Sequence, residues 1–190
     1  MDGMNWEELE EKCRGCHACP LGETRKNLVF GKGDRAAKLV FVGEAPGETE
    51  DETGIPFVGR AGKLFDLYLD AVGIARDSVY VCNILKCRPP KNRDPKPEEE
   101  DACIGYLRAQ LALIRPKLVV CLGRISAMRL IRPDFRITKE HGQWFDAPDG
   151  YRICAVYHPS LLLRDPRKKE ERLADMKAVR QMLEDEGQLG

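Results

Sequence analysis

Four short apolar runs punctuate the chain: 39–42 (Leu-Val-Phe-Val), 79–83 (Val-Tyr-Val-Cys-Asn), 118–122 (Leu-Val-Val-Cys-Leu) and 153–157 (Ile-Cys-Ala-Val-Tyr). Each is continuous, rich in β-branched residues and short, which is the pattern of a strand buried on both faces. Helical periodicity fills much of the space between them. Residues 5–15 place Trp6, Leu9 and Cys13 on related faces. Residues 62–72 carry Leu64, Leu67, Tyr68 and Ala71 as an apolar stripe and stop at Gly73. Pro97 followed by Glu98, Glu99, Glu100 and Asp101 is a strong helix start, because acids favour the N-terminal dipole. That helix turns Ile104, Leu107, Leu111 and Ile114 inward and ends before Pro116. Gly123 opens a short helix through Ile131, and 169–184 is amphipathic through Leu173, Met176, Val179, Met182 and Leu183. The segment 43–60 reads as an acidic, flexible loop, and 137–150 as loop and hairpin. Strands alternating with helices predict the α/β class, with a central, mostly parallel four-stranded sheet covered on both faces.

With 190 residues, no internal repeat and no linker, residues 1–190 are expected to form a single domain. No stretch approaches the ~20 apolar residues of a membrane span. The N-terminus is acidic and lacks the apolar core of a signal peptide, so a cytoplasmic, nucleoid-associated protein is expected. The 31 basic and 31 acidic residues cancel, so an anionic partner must meet a local patch, not a net field. Eight cysteines are many for such a chain and favour a metal or cluster site over a disulfide framework. Cys82, Cys121 and Cys154 lie in apolar runs and read as core.

Candidate chemistry gathers at the strand ends. Gly43-Glu44-Ala45-Pro46-Gly47 follows the first strand, and its glycines allow close backbone approach to a ligand. The loop is either an ordinary strand-to-helix turn or the floor of a site, since ligands of open α/β sheets bind at the carboxyl ends of the strands. Glu44, Asn83 and His158 all stand at such ends. Phe57, in a glycine-flanked loop, is placed either to stack on a planar ligand or to pack as a lid. A second constellation is made of thiols. The run Cys13-x2-Cys16-x2-Cys19 contains two overlapping ligand-like pairs, and Cys87-x15-Cys103 lies in the middle of the chain. Four thiolates suit zinc or iron–sulfur equally by spacing. The loop holding Lys86, Arg88, Lys91, Arg93 and Lys96 against the single Asp94 is a basic patch suited to phosphates. Arg164 begins a second basic run, of which 167–172 reads as a solvated face.

Four motifs in order, Gly43-Glu-Ala-Pro-Gly47, Gly54-Ile-Pro-Phe-Val-Gly-Arg-Ala-Gly62, Asn83-Ile-Leu-Lys-Cys-Arg-Pro-Pro-Lys-Asn-Arg93 and His158-Pro-Ser-Leu-Leu-Leu163, resemble those of the family-4 uracil-DNA glycosylases. The resemblance runs from about residue 16 to residue 166. It implies a three-layer α/β/α sandwich, a 4Fe-4S cluster carried partly by an N-terminal segment (1–30), and excision of uracil from single- or double-stranded DNA. It implies Cys16, Cys19, Cys87 and Cys103 as cluster ligands, leaving Cys13 extra unless Cys13 and Cys16 form the pair. Gly43, Glu44, Ala45, Phe57, Asn83 and His158 match the uracil pocket, with Phe57 as the stacking ring and Asn83 as the reader of the pyrimidine edge. His158 matches the histidine near uracil O2, and Glu50 and Asn92 match positions across the pocket near the DNA backbone. His158, Asn83, Glu44 and Glu50 are the expected catalytic set. Arg88, Lys91, Asn92, Arg93, Arg164 and a wedge at Leu162 or Leu163 are the expected DNA contacts. One branch of the superfamily has a water-orienting aspartate where this chain has Ala45. Another captures uracil covalently through a histidine in an inserted loop, and 91–96 has neither histidine nor insertion, which argues for turnover.

A rival of a different class is a zinc- or cluster-bearing DNA-binding module without catalysis. A nucleotide hydrolase using 43–47 as a phosphate loop fails, since no Gly-Lys-Ser/Thr ending follows. A monomer with no membrane attachment is expected, and a contact with a sliding clamp or a polymerase is not readable from the chain.

Overall fold

In the computed structural model, which describes residues 1–187, the four apolar runs pair side by side in one sheet. The strands in chain order are β1 (Lys32–Gly33), β2 (Leu39–Gly43), β3 (Tyr80–Asn83), β4 (Leu118–Leu122), β5 (Phe145–Asp146) and β6 (Arg152–Val156). Their spatial order is β1-β3-β2-β4-β6-β5. The β3-β2-β4-β6 core is parallel throughout, while β1 and β5 add antiparallel edges. The expected four-stranded sheet therefore has six strands. The two additions are only two residues long, too short to leave a periodic trace in sequence.

The helices are α1 (Trp6–Arg14), α2 (Leu21–Thr24), α3 (Glu48–Thr53), α4 (Arg60–Ala71), α5 (Pro97–Ile114), α6 (Arg124–Leu130), α7 (Ile137–Glu140), α8 (Pro159–Arg164) and α9 (Lys169–Asp185). Alternate strand residues divide between two cores. Val40, Val42, Cys82, Val119, Cys121 and Ala155 pack with Leu9 of α1, Leu107 of α5 and Ala127 of α6. Phe41, Val81, Val120, Cys154 and Val156 pack with Phe65 and Leu69 of α4, Leu162 of α8, and Met176 and Val179 of α9. The expected α/β/α layering is therefore present, and Cys82, Cys121 and Cys154 are core as the apolar runs implied.

Two local readings change. The acidic segment 43–60 contains α3, whose first turn is capped by Glu50 reaching back to the Gly47 N–H. On α4 the buried face is Phe65, Tyr68 and Leu69, whereas Leu67 is 64% exposed. Among the described residues, no helix is long and apolar enough to cross a membrane. The expected domain span ends at residues 188–190, which lie outside the described residues.

Candidate active site and cysteine cavity

The strand tips meet as the residues predict. Gly43 and Asn83 are register partners at the ends of β2 and β3. A Cβ on Gly43 would sit 2.4 Å from Asn83 Oδ1 and 2.5 Å from Phe57 Cζ, so only glycine lets the amide and the ring come together here. The Phe57 ring centroid lies 6.2 Å from that of His158, tilted by 37°. Phe57, Asn83, Asn92 and His158 line one cleft of about 370 Å³ with Glu50 and Gly62. Of the residues expected around the base, Glu44 and Ala45 follow the floor and are half-buried, but they do not line this cleft.

Asn83 is 2% exposed, and its Oδ1 has no hydrogen-bond partner. A buried carbonyl-type acceptor left unpaired costs about 1–3 kcal/mol, so a donor arriving from a ligand recovers a real deficit. Phe57 has φ of 55°, a left-handed backbone that a phenylalanine adopts only under constraint. The constraint is visible. Glu50 Oε2 accepts the N–H groups of Val58 (2.9 Å) and Gly59 (2.6 Å). A Cβ on Gly62 would stand 2.1 Å from the Phe57 carbonyl carbon, so the first turn of α4 fits beneath the loop only as glycine. Glu50, expected in the catalytic set, has both oxygens engaged by backbone N–H groups.

His158 caps α8. Its Nδ1 accepts the Ser160 N–H at 3.1 Å and lies 2.7 Å from Ser160 Oγ. A backbone N–H can only donate, so Nδ1 is unprotonated and the neutral ring carries its proton on Nε2. Desolvation, reinforced by the charges of Arg172 and Arg164, pushes His158 down to about 4, so the ring is neutral at physiological pH. Burial pushes Glu44 up to about 7, with Asp94 raising it further and Arg124 opposing.

The basic residues sort themselves. Lys91 and Arg164 are exposed, and Arg88 is half-buried with its Nε on Asn92 Oδ1 at 2.7 Å. Lys91 and Asn92 both have φ of 56°, a sharp local turn. Arg93 forms a bidentate pair with the buried Glu99 (2.7 and 2.9 Å), which pins the loop to the start of α5. Lys86, expected in the phosphate-facing patch, is fully buried, because its stem runs inward from the end of β3. Arg172, expected on a solvated face, is also fully buried, because it lies on the sheet-facing side of α9. Leu162 is 1% exposed and belongs to the core, which removes it as a wedge, whereas Leu163 is 41% exposed.

Behind the sheet tips, Cys13, Cys16, Cys19, Cys87 and Cys103 line a second cavity with Lys86 and Tyr106. Arg25, which no motif marks, donates to Cys87 Sγ (3.1 Å), the Cys16 carbonyl (3.1 Å) and the Arg14 carbonyl (2.6 Å), joining the N-terminal segment to the middle loop. Burial pushes Cys103 up to about 11 and raises Cys13 and Cys87, opposed by Lys86 and Arg25. Five thiols lining one cavity are a donor set of the type that zinc or an iron–sulfur cluster takes. Among the described residues, no three such side chains are close enough to hold a single metal ion.

An α/β/α sandwich that brings an amide and a neutral imidazole at parallel strand ends against a ring from the loop before α4 defines a class, and residues 30–184 match the family model of the uracil DNA glycosylase superfamily. The chain belongs to that superfamily. Within it, the chain is 42% identical over 184 residues to a Type-4 uracil-DNA glycosylase of Thermotoga maritima, covering 95% of this chain and 96% of the relative. It is 42% identical over 180 residues to a Type-4 uracil-DNA glycosylase of Archaeoglobus fulgidus (91% and 90% covered). It is 34% identical over 147 residues to a Type-5 uracil-DNA glycosylase of Pyrobaculum aerophilum (68% and 64% covered). The resemblance seen in the four motifs is borne out.

Proposed function

We infer that the protein is a DNA glycosylase that removes uracil from DNA and so initiates repair of deaminated cytosine. The observation that carries this reading is the unpartnered Asn83 Oδ1, buried between Phe57 and the strand tip. Uracil N3–H is the donor it lacks. Cytosine has a lone pair at that position, and a site built around a buried polar group rejects the wrong partner by ~10⁴.

The glycosidic bond is out of reach in a stacked duplex, so the nucleotide is flipped out, at a cost of a few kcal/mol that is smaller at a mismatch. The base then stacks on Phe57. As the C1′–N1 bond breaks, its electron pair moves onto uracil, and the neutral His158 donates Nε2–H toward O2. An oriented donor of this kind contributes roughly 3–4 kcal/mol to the transition state. The attacking water must lose a proton, and Glu44, on the loop just beyond the cleft lining and held near 7, has the matched basicity to take it through one relaying water. Glu50 acts by positioning Phe57. Among the described residues that line the cleft, none is lysine, which fits a monofunctional enzyme with no Schiff-base step.

The second cavity suits a 4Fe-4S cluster held by Cys16, Cys19, Cys87 and Cys103, with Cys13 beside it. When bound, the cluster supplies a cross-link between the N-terminal segment and the basic loop. Lys91, Arg88, Asn92 and Arg164 face the DNA backbone, Arg93 shapes the loop they stand on, and Leu163 fills the vacated stack. The enzyme works as a monomer on single- or double-stranded DNA in the cytoplasm, and its fold is one domain. Incubation with a uracil-containing oligonucleotide, followed by alkali, tests the activity: strand breaks at uracil and free uracil are expected, and both are lost in His158→Ala and Asn83→Ala. Binding without release of uracil overturns the catalytic reading.

A further inference from the structure

Lys86 is a lysine in the interior with no anion beside it. Its Nζ donates to the Asn83 backbone carbonyl at 3.0 Å and to Gln110 Oε1 at 2.7 Å. Gln110 is itself held, donating from Nε2 to the Phe30 carbonyl (3.0 Å) and the Tyr80 hydroxyl oxygen (3.2 Å). The ammonium lies 5.8 Å from the centroid of the Phe30 ring. Among the described residues, none of these partners is charged and no carboxylate pairs with it. Removing an ammonium from water costs several kcal/mol, which a carbonyl, an amide and a ring offset only in part. The same residue also lines the cavity shared by five cysteines and directly precedes Cys87 in the chain.

The geometry points to Lys86 as the buried counter-charge of the cysteine-held group and, through the Asn83 carbonyl, as a positioning residue for the amide that reads the base. The inference rests on the proposed cluster in that cavity. Four thiolates around a 4Fe-4S core leave a net negative charge, and Lys86 meets it from the dry side. Arg25 meets Cys87 from the half-buried side, where water screens its charge. Lys86 thus touches the carbonyl at the tip of β3 with its ammonium and is itself part of the wall of the thiol cavity. The orientation of the Asn83 side chain is thereby tied to the charge stored behind it.

The test uses the iron-loaded full chain and the variant Lys86→Gln, which keeps an N–H for the Asn83 carbonyl and removes the charge. The readouts are iron content, the reduction potential of the bound cluster by spectroelectrochemical titration, and KM against kcat on a uracil oligonucleotide. A positive charge stabilises the reduced cluster, so the variant is expected to keep its iron, show a lower potential, and raise KM several-fold with kcat little changed. An unchanged potential in an iron-loaded variant overturns the counter-charge. A lowered potential with unchanged KM overturns the positioning role. Should Lys86→Gln fail to fold, the double variant Lys86→Met/Gln110→Leu removes the charge together with its main acceptor, and the same readouts decide. Colourless, iron-free wild-type protein overturns the cluster reading instead, which is a separate outcome.

Discussion

The Glu50 carboxylate accepts the Gly59 N–H at 2.6 Å and the Val58 N–H at 2.9 Å, the two groups that follow Phe57 along the chain. Its other oxygen accepts the Gly47 N–H at 3.1 Å, so one side chain ties the first loop to the second. A left-handed phenylalanine stores about 1–3 kcal/mol of strain, and these bonds keep it there. Glu50→Ala is therefore expected to lose about 1–3 kcal/mol of stability by leaving N–H groups unpaired. It also raises KM for uracil-containing DNA more than it lowers kcat, because the ring that stacks the base is released. Urea denaturation and steady-state kinetics check this; a variant of wild-type stability and KM rules out the brace.

The two titrating groups at the strand tips predict a pH profile. Glu44 is raised from 4.5 to about 7 by burial, so the fraction able to accept a proton from water grows through neutrality. The value of kcat/KM is expected to climb with pH through about 7. Glu44→Gln flattens that limb, and an unaltered limb removes Glu44 as the acceptor. His158, lowered from 6.5 to about 4, stays neutral across the same range. Stability responds in opposite senses. The contribution linked to Glu44 is full below 4.5 and is lost as pH rises through about 7. That of His158 is full above 6.5 and is lost as pH falls toward about 4. Denaturation midpoints across pH in His158→Gln and Glu44→Gln separate the two.

What the sequence could show follows from how each feature is encoded. The core strands β2, β3, β4 and β6 are buried on both faces, so each leaves a continuous apolar run that reads directly. The convergence of Asn83, His158 and the first loop was legible because ligand-facing residues of a parallel sheet sit at strand ends. On α4, Tyr68 of the expected stripe is buried and Leu64 packs against the core, but Leu67 points outward and Phe65 and Leu69 complete the buried face; both phases fit a helical repeat, and packing against the sheet decides. The burial of Lys86 and Arg172 leaves no sequence signal for a different reason. A long charged side chain is assigned to the surface by default, and nothing local to either residue reports that its neighbours have closed over it. The roles of Glu50 and Arg25 depend on bonds spanning 9 and 62 residues, which no spacing rule contains.

Adjacent leucines on α8 predict opposite phenotypes. Leu162 is 1% exposed within the core beneath α4, and Leu162→Ala is expected to cost about 2–5 kcal/mol. Leu163 is 41% exposed beside Arg164, and Leu163→Ala should leave the melting temperature unchanged. Its effect appears instead on duplex substrates, where the flipped nucleotide loses its replacement in the stack, and is smaller on single strands, where there is little stack to fill. Comparing kcat/KM on uracil in duplex and in single-stranded oligonucleotides tests this. Equal losses on both remove the wedge.

Arg172 makes a prediction that runs against the usual expectation for a buried charge. Its Nε, Nη1 and Nη2 are all buried without a hydrogen-bond partner, and burial pushes the group down to about 10. The guanidinium carbon lies 5.4 Å from the Tyr68 ring centroid, a contact that returns ~2 kcal/mol when desolvated, less than the charge loses by leaving water. Asp175, three residues on, attracts it without a direct bond. Replacement by an apolar side chain of similar length removes the desolvation cost and keeps the packing between α9 and α4. Arg172→Met is therefore expected to be as stable as the wild type or more so, by up to about 4 kcal/mol. The same charge helps hold His158 down, so the variant raises the His158 titration toward 6.5, which NMR of the ring protons reads directly. A destabilised variant with an unmoved His158 titration means that the guanidinium neither lacks a partner nor acts on the imidazole.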